Sequence, residues 1–87
     1  MRKHYYTLFR KFFHDRLFRS RTDLNITQEQ MAERLAVANR TYVYLDHGKR
    51  GCSALTLALY LIYVCKDPIG FLEGLRNAFE NEEPTDP

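Results

Sequence analysis

Ile26-Thr27-Gln28-Glu29-Gln30-Met31-Ala32-Glu33-Arg34-Leu35 is the stretch whose reading decides the fold. Thr27 followed three residues later by Gln30 fits a capping box, in which each side chain satisfies a backbone N–H at the start of a helix. Ile26 and Met31 bracket that start as a hydrophobic staple. Met31 and Leu35, four apart, supply a buried stripe, and Ala32 is small where a second helix could cross closely. A helix therefore begins at Thr27.

Downstream, only Ala36, Val37 and Ala38 separate this helix from the next, which should start near Asn39 and end by Asp46 because Gly48 is placed as its C-terminal stop. Tyr42 and Leu45 would face inward. Val37 would plug the turn. The outer face would carry Asn39, Arg40, Val43 and Tyr44, free to enter a DNA major groove. A short helix, a tight turn and a second helix with an unburied polar face make a helix-turn-helix over about residues 27–46.

Upstream, a first helix should run from about residue 4 to residue 22, with Tyr6, Phe9, Phe13 and Leu17 at spacings of three and four, and Tyr5, Leu8 and Phe12 widening the stripe. Asn25 can take the left-handed conformation that closes it. A fourth helix should follow the Gly48–Gly51 loop, with Ser53 as N-cap, and extend to about Cys65 with Ala54, Leu57, Leu61 and Val64 inward. Leu55, Leu59, Ile62 and Tyr63 then point elsewhere, and a helix apolar around most of its circumference calls for burial on two sides. Either a second copy covers that face or the aromatic start of helix one folds over it. Asp67-Pro68 opens a fifth helix, an acidic cap followed by proline at the first position, with Ile69, Leu72, Leu75 and Phe79 at helical spacing. Residues 82–87 read as an acidic frayed tail on a domain spanning 1–81. The fold class is all-α.

The chain has 87 residues, 45% of them hydrophobic, enough for one small core. Residues 1–50 carry eleven Lys/Arg against five acids, whereas residues 51–87 carry two against six. A basic front and an acidic back suit a polyanion on one side and a partner or solvent on the other. Cys52 and Cys65 show no CxxC pattern, so neither a zinc site nor a disulfide framework is indicated. No signal peptide is evident, and the longest apolar run, 54–65, is too short to span a bilayer, so a reduced cytoplasmic protein is expected. His4, His14 and His47 lack metal-ligand spacing, His14-Asp15 makes no relay, and no Gly-rich phosphate loop occurs. The reading is of a non-enzyme without cofactor or metal.

Residues 26–35 are similar to the LTQEELAEKL signature of phage repressor/Cro-type (Xre-like) regulators, and Asp46-His47-Gly48-Lys49-Arg50 resembles the ENGKR that closes their recognition helix. The resemblance covers about residues 13–72 and implies a five-helix, lambda-repressor-like domain, here with an extended aromatic first helix. It implies that Asn39, Arg40, Val43 and Tyr44 face bases, and that Gln28, Lys49 and Arg50 contact phosphates. It also implies that Arg21 and Asp46 form a structural salt bridge, and that the surface near helices four and five, here Leu55, Leu59, Ile62 and Tyr63, forms a homodimer contact. Ala36 stands where the family has glycine, Ala38 where it has Ser or Thr, and Asp46 where it has Glu. The expectation is a homodimeric transcriptional regulator, most simply a repressor, bound to a double-stranded operator. Two other readings remain open. One is an antitoxin or phage accessory protein whose apolar back binds a second protein; the other is a helix-turn-helix remnant used only for protein interaction.

Overall fold

The computed structural model describes residues 2–49 and 51–81, apart from the side chain of Arg2. Among them the chain is all-helical: α1 (Arg2–Leu24), α2 (Gln28–Arg34), α3 (Asn39–Asp46), α4 (Ala54–Leu59), which continues into a π turn (Tyr60–Val64), and α5 (Pro68–Asn81). No strand is present among the described residues. The acidic tail expected at 82–87, like Arg50, lies outside the described residues.

Three of the helix ends are closed in the same way. Asn25, with φ of 56°, lets its own N–H reach the Thr22 carbonyl at 3.1 Å and the Ile26 N–H reach Arg21 at 3.2 Å. Ala36, also with φ of 56°, repeats the pattern: its N–H bonds Glu33 at 3.1 Å and that of Val37 bonds Ala32 at 3.0 Å. Gly48, with φ of 69°, does so for α3 through Leu45 at 3.1 Å and Tyr44 from Lys49 at 3.0 Å. This paired closure satisfies carbonyls that a helix end otherwise leaves orphaned. Helix starts follow side-chain chemistry. Thr27 and Gln30 form the reciprocal box, at 3.1 and 2.8 Å. Ser53 accepts from the Thr56 N–H at 3.2 Å, and Asp67 from the Gly70 N–H at 3.0 Å.

The core joins Phe13 and Leu17 of α1 to Met31, Ala32 and Leu35, to Tyr42 and Leu45, and to Tyr60, Val64 and Phe71. Its centre is aromatic: Phe13 meets Tyr60 edge-on at 5.2 Å, and Tyr60 lies 5.4 Å from Phe71. The first half of α1 runs along α5, where Tyr5 packs edge-on to Phe79 at 5.0 Å and Phe12 to Phe71 at 5.2 Å. Gly74 permits that approach, since a Cβ there would lie 3.2 Å from Phe12 Cζ and 2.9 Å from Arg16 Nη2.

Two faces differ from the sequence expectation. On α4 and its π turn the buried row is Thr56, Tyr60 and Val64, with Leu57 and Leu61 packed beside it, while Ala54 is exposed. Polar atoms explain the choice: Thr56 Oγ1 is 3.0 Å from Ser53 Oγ, and the Tyr60 hydroxyl is 2.9 Å from Ser20 Oγ, so both can be buried satisfied. The helix does not run regularly to Cys65. The Cys65 N–H bonds the Tyr60 carbonyl at 2.8 Å, five residues back, and widens the last turn. On α5, Phe71 is buried and Leu75 packs against the core, whereas Ile69 and Leu72 are 71% and 51% exposed. The α1 aromatics claim the face bearing Phe71, Gly74 and Leu75.

Candidate nucleic-acid interface

A single carboxylate organises the junction of α1, α2 and α3. Asp46, in the last turn of α3, is only 7% exposed. Its Oδ1 accepts from the Tyr42 hydroxyl at 3.0 Å and its Oδ2 from Gln28 Nε2 at 2.8 Å. Arg21 Nη2 approaches Oδ2 at 3.7 Å. A buried carboxylate is tolerable only when donors replace its lost water, and here two neutral donors and one cation do so. The Arg21–Asp46 pair implied by the resemblance is therefore present but long, and Gln28 holds the closer position. Burial, with the Asp46 carboxylate beside it, pushes the Tyr42 hydroxyl well above its ordinary pKa.

This changes the account of Gln28. Its amide, assigned to a phosphate from the resemblance, has one of its two Nε2 hydrogens turned to Asp46, which leaves the other for an outside acceptor. The amide thereby couples the first residue of α2 to the last of α3. Tyr42 and Asp46, one helical turn apart, were the signal in the sequence that could have exposed this hub.

With Tyr42 and Leu45 buried, the opposite side of α3 is turned outward. Asn39 and Arg40 are exposed in its first turn, Val43 is half-buried and Tyr44 is 38% exposed. No side chain caps α3: Ala38 precedes it in extended conformation, so the first backbone N–H groups are left to solvent or to a ligand. Lys49 is exposed directly after the α3 closure. Asn39, Arg40, Val43 and Tyr44 thus share one short helix, with Lys49 at its far end and Gln28 at the near end of α2. The fifth cationic or amide candidate, Arg50, lies outside the described residues.

On α4 and its π turn Leu55, Ile62 and Tyr63 are 68%, 67% and 67% exposed. Leu59, grouped with them from the sequence, is half-buried. The aromatic start of α1 does not cover this face; it packs on α5 instead.

Burial pushes the Cys52 thiol up to about 11, which keeps it protonated at neutral pH and a poor nucleophile. Among the described residues no three of His, Cys, Asp and Glu gather as metal ligands, and no helix is long and apolar enough to cross a membrane. No family model, curated protein or solved structure matches this chain.

Proposed function

We propose that the chain is a sequence-specific binder of double-stranded DNA and acts as a small transcriptional regulator, with α2 and α3 as a helix-turn-helix of the lambda-repressor-like kind. The observation that carries the reading is the Asp46 hub. It fixes α2 against α3 from behind and leaves Asn39, Arg40, Val43 and Tyr44 on the outer face. Rigid support behind an exposed polar face is what base readout requires, because a bidentate contact discriminates by about 1–3 kcal/mol only if its donors are held in place. In this reading Arg40 and Asn39 read base edges, Val43 and Tyr44 make apolar and hydroxyl contacts, and Gln28, Lys49 and Arg50 bind phosphates and set the register. The protein works in the cytoplasm without a cofactor, most simply as a repressor that occupies its operator.

The exposed Leu55, Ile62 and Tyr63 support a homodimer. Apolar side chains concentrated on one face mark an interaction surface, and a two-fold axis there would present two α3 helices to successive major grooves about 34 Å apart. Sedimentation should give a dimer that Ile62→Glu dissociates. A wild-type monomer at millimolar concentration would assign that face to a different protein, as in the accessory-protein reading.

Selection of bound sequences from a random duplex pool tests the function directly. Enrichment of a palindrome is expected, with Arg40→Ala losing ~1–3 kcal/mol at one position of each half-site. A pool that stays random refutes sequence-specific binding.

A further inference from the structure

We infer that the cleft between the C-terminal half of α1, the π turn and the start of α5 is a binding site for a small aromatic carboxylate. The inference goes beyond the DNA-binding reading, and none of the described residues assigned to DNA lines the cleft. Its volume is about 410 Å³, within the range of pockets that hold small organic ligands. Leu24, Val64 and Phe71 give it an apolar wall. Tyr60 and Cys65, which the wide hydrogen bond of the π turn joins, line it as well. Single wide turns of this kind recur at functional sites.

Two hydroxyls meet in this cleft. Ser20 Oγ, on half-buried Ser20 of α1, is 2.9 Å from the hydroxyl oxygen of buried Tyr60. The pair has two hydroxyl hydrogens and uses one of them between its members. For the other, the Arg16 carbonyl stands 3.5 Å from the Tyr60 oxygen, well beyond the usual ~2.8 Å of an O–H···O bond. A donor paired this poorly away from water is costly, and an acceptor in the cleft relieves it. With Tyr60 donating to Ser20, the Ser20 hydroxyl donates in turn to that acceptor. Burial pushes the Tyr60 hydroxyl above its ordinary pKa, so it remains a donor at neutral pH. The charge of the lining selects an anion. Arg16, Arg19 and Lys66 stand against Asp23 and Asp67, and Asp67 is already turned to the Gly70 N–H at 3.0 Å. Arg19 also pairs with Asp15 at 3.1 Å and Arg16 lies over the Phe12 ring at 4.6 Å, so Lys66 is the cation to test. A carboxylate at Ser20 uses the hydroxyl pair, and a flat ring behind it suits the wall that Phe71 and Leu24 provide.

The test titrates the full chain, without DNA, with 2-naphthoate and with its neutral counterpart 2-naphthamide, and reads backbone amide chemical shifts. Saturating shifts should gather at Ser20, Cys65 and Gly70 at millimolar 2-naphthoate, with 2-naphthamide binding about tenfold more weakly. Ser20→Ala should weaken 2-naphthoate about tenfold, and Lys66→Gln about two- to threefold, with the dispersion of the same spectra reporting that each variant is folded. Shifts that scatter over the surface, or that fail to saturate, would overturn the site. Equal affinity for the amide would overturn the anionic class in the wild-type chain, whatever the variants do. Wild-type affinity in Ser20→Ala would overturn the part given to the hydroxyl pair. No duplex is present, so failure here leaves the DNA-binding reading standing, and a random operator pool leaves this site standing.

Discussion

Residues 27–49 and residues 53–81 both fold as helix, turn and helix against α1, yet they are specified differently. In the first region the ends and the faces agree with the sequence: a capping box opens α2, left-handed residues close α2 and α3, and Met31, Leu35, Tyr42 and Leu45 are all buried. In the second the starts agree, with Ser53 and Asp67 as caps, but the buried faces agree only in part: Leu57, Leu61, Val64 and Leu75 meet the core, whereas Ala54, Ile69 and Leu72 do not. Helix ends are set by hydrogen bonds between residues a few positions apart, so they are local. Which face of an almost wholly apolar helix is buried is a tertiary choice. Here the aromatic cluster of Phe13, Tyr60 and Phe71 makes it.

The largest effect that would test this contrast is on α5. Phe71→Ala should cost about 3–5 kcal/mol in urea denaturation, because it empties the centre of the aromatic core. Ile69→Ser and Leu72→Ser, measured on dilute monomer, should stay within about 0.5 kcal/mol. The periodicity of Ile69, Leu72, Leu75 and Phe79 gives the opposite ranking, so a larger loss at 69 than at 71 would restore the sequence reading against the structural one.

In the first region the most sensitive position is polar. Asp46→Ala should destabilise by about 2–3 kcal/mol, since it leaves the buried Tyr42 hydroxyl without an acceptor and Gln28 and Arg21 without their partner. Arg21→Ala should cost less, about 0.5–1 kcal/mol, because that pair is 3.7 Å apart and Arg21 is partly exposed. The same hub has a pH signature. The folded state raises the Tyr42 pKa above its ordinary 10, so the hub's contribution is intact below that value and declines as pH rises beyond it. Tyr42→Phe should flatten that part of the alkaline stability profile. A larger loss for Arg21→Ala than for Asp46→Ala would make the ion pair, not the two neutral hydrogen bonds, the organising contact.

The surface placement of the candidate residues on α3 was legible to the same extent as the ends. The outward placement of Asn39 and Arg40 follows from the inward pair Tyr42 and Leu45, and helical geometry alone delivers it. The exposed trio Leu55, Ile62 and Tyr63 followed from the same kind of argument, whereas Leu59 did not, because the expected inward row was Ala54, Leu57, Leu61 and Val64. What could not be read were contacts between residues distant in sequence. Gln28 to Asp46 spans 18 residues and Gly51 to Tyr6 spans 45, and neither spacing carries a local signal. The π turn was equally hidden. It adjusts the exit of α4 around Tyr60, whose place is fixed by Ser20 and the α1 aromatics.

The smallest effect concerns the turn that departs most from the resembled pattern. Ala36 and Gly48 make the same paired closure at nearly the same φ, 56° and 69°, one with a Cβ and one without. A left-handed alanine costs about 1–2 kcal/mol, and the greater unfolded-state freedom of glycine returns about 0.5–1 kcal/mol of that. Ala36→Gly should therefore stabilise the protein by about 0.5–1 kcal/mol with an unchanged denaturant slope. The reverse exchange, Gly48→Ala, should destabilise, because strain is added and the new methyl would stand 3.3 Å from His14 Cγ. Destabilisation by Ala36→Gly would mean that the exposed methyl at 36 contributes more than its strain removes. The first region would then owe its turn to packing, like the second, and the contrast between them would fail at the point where the sequence departs from the family pattern.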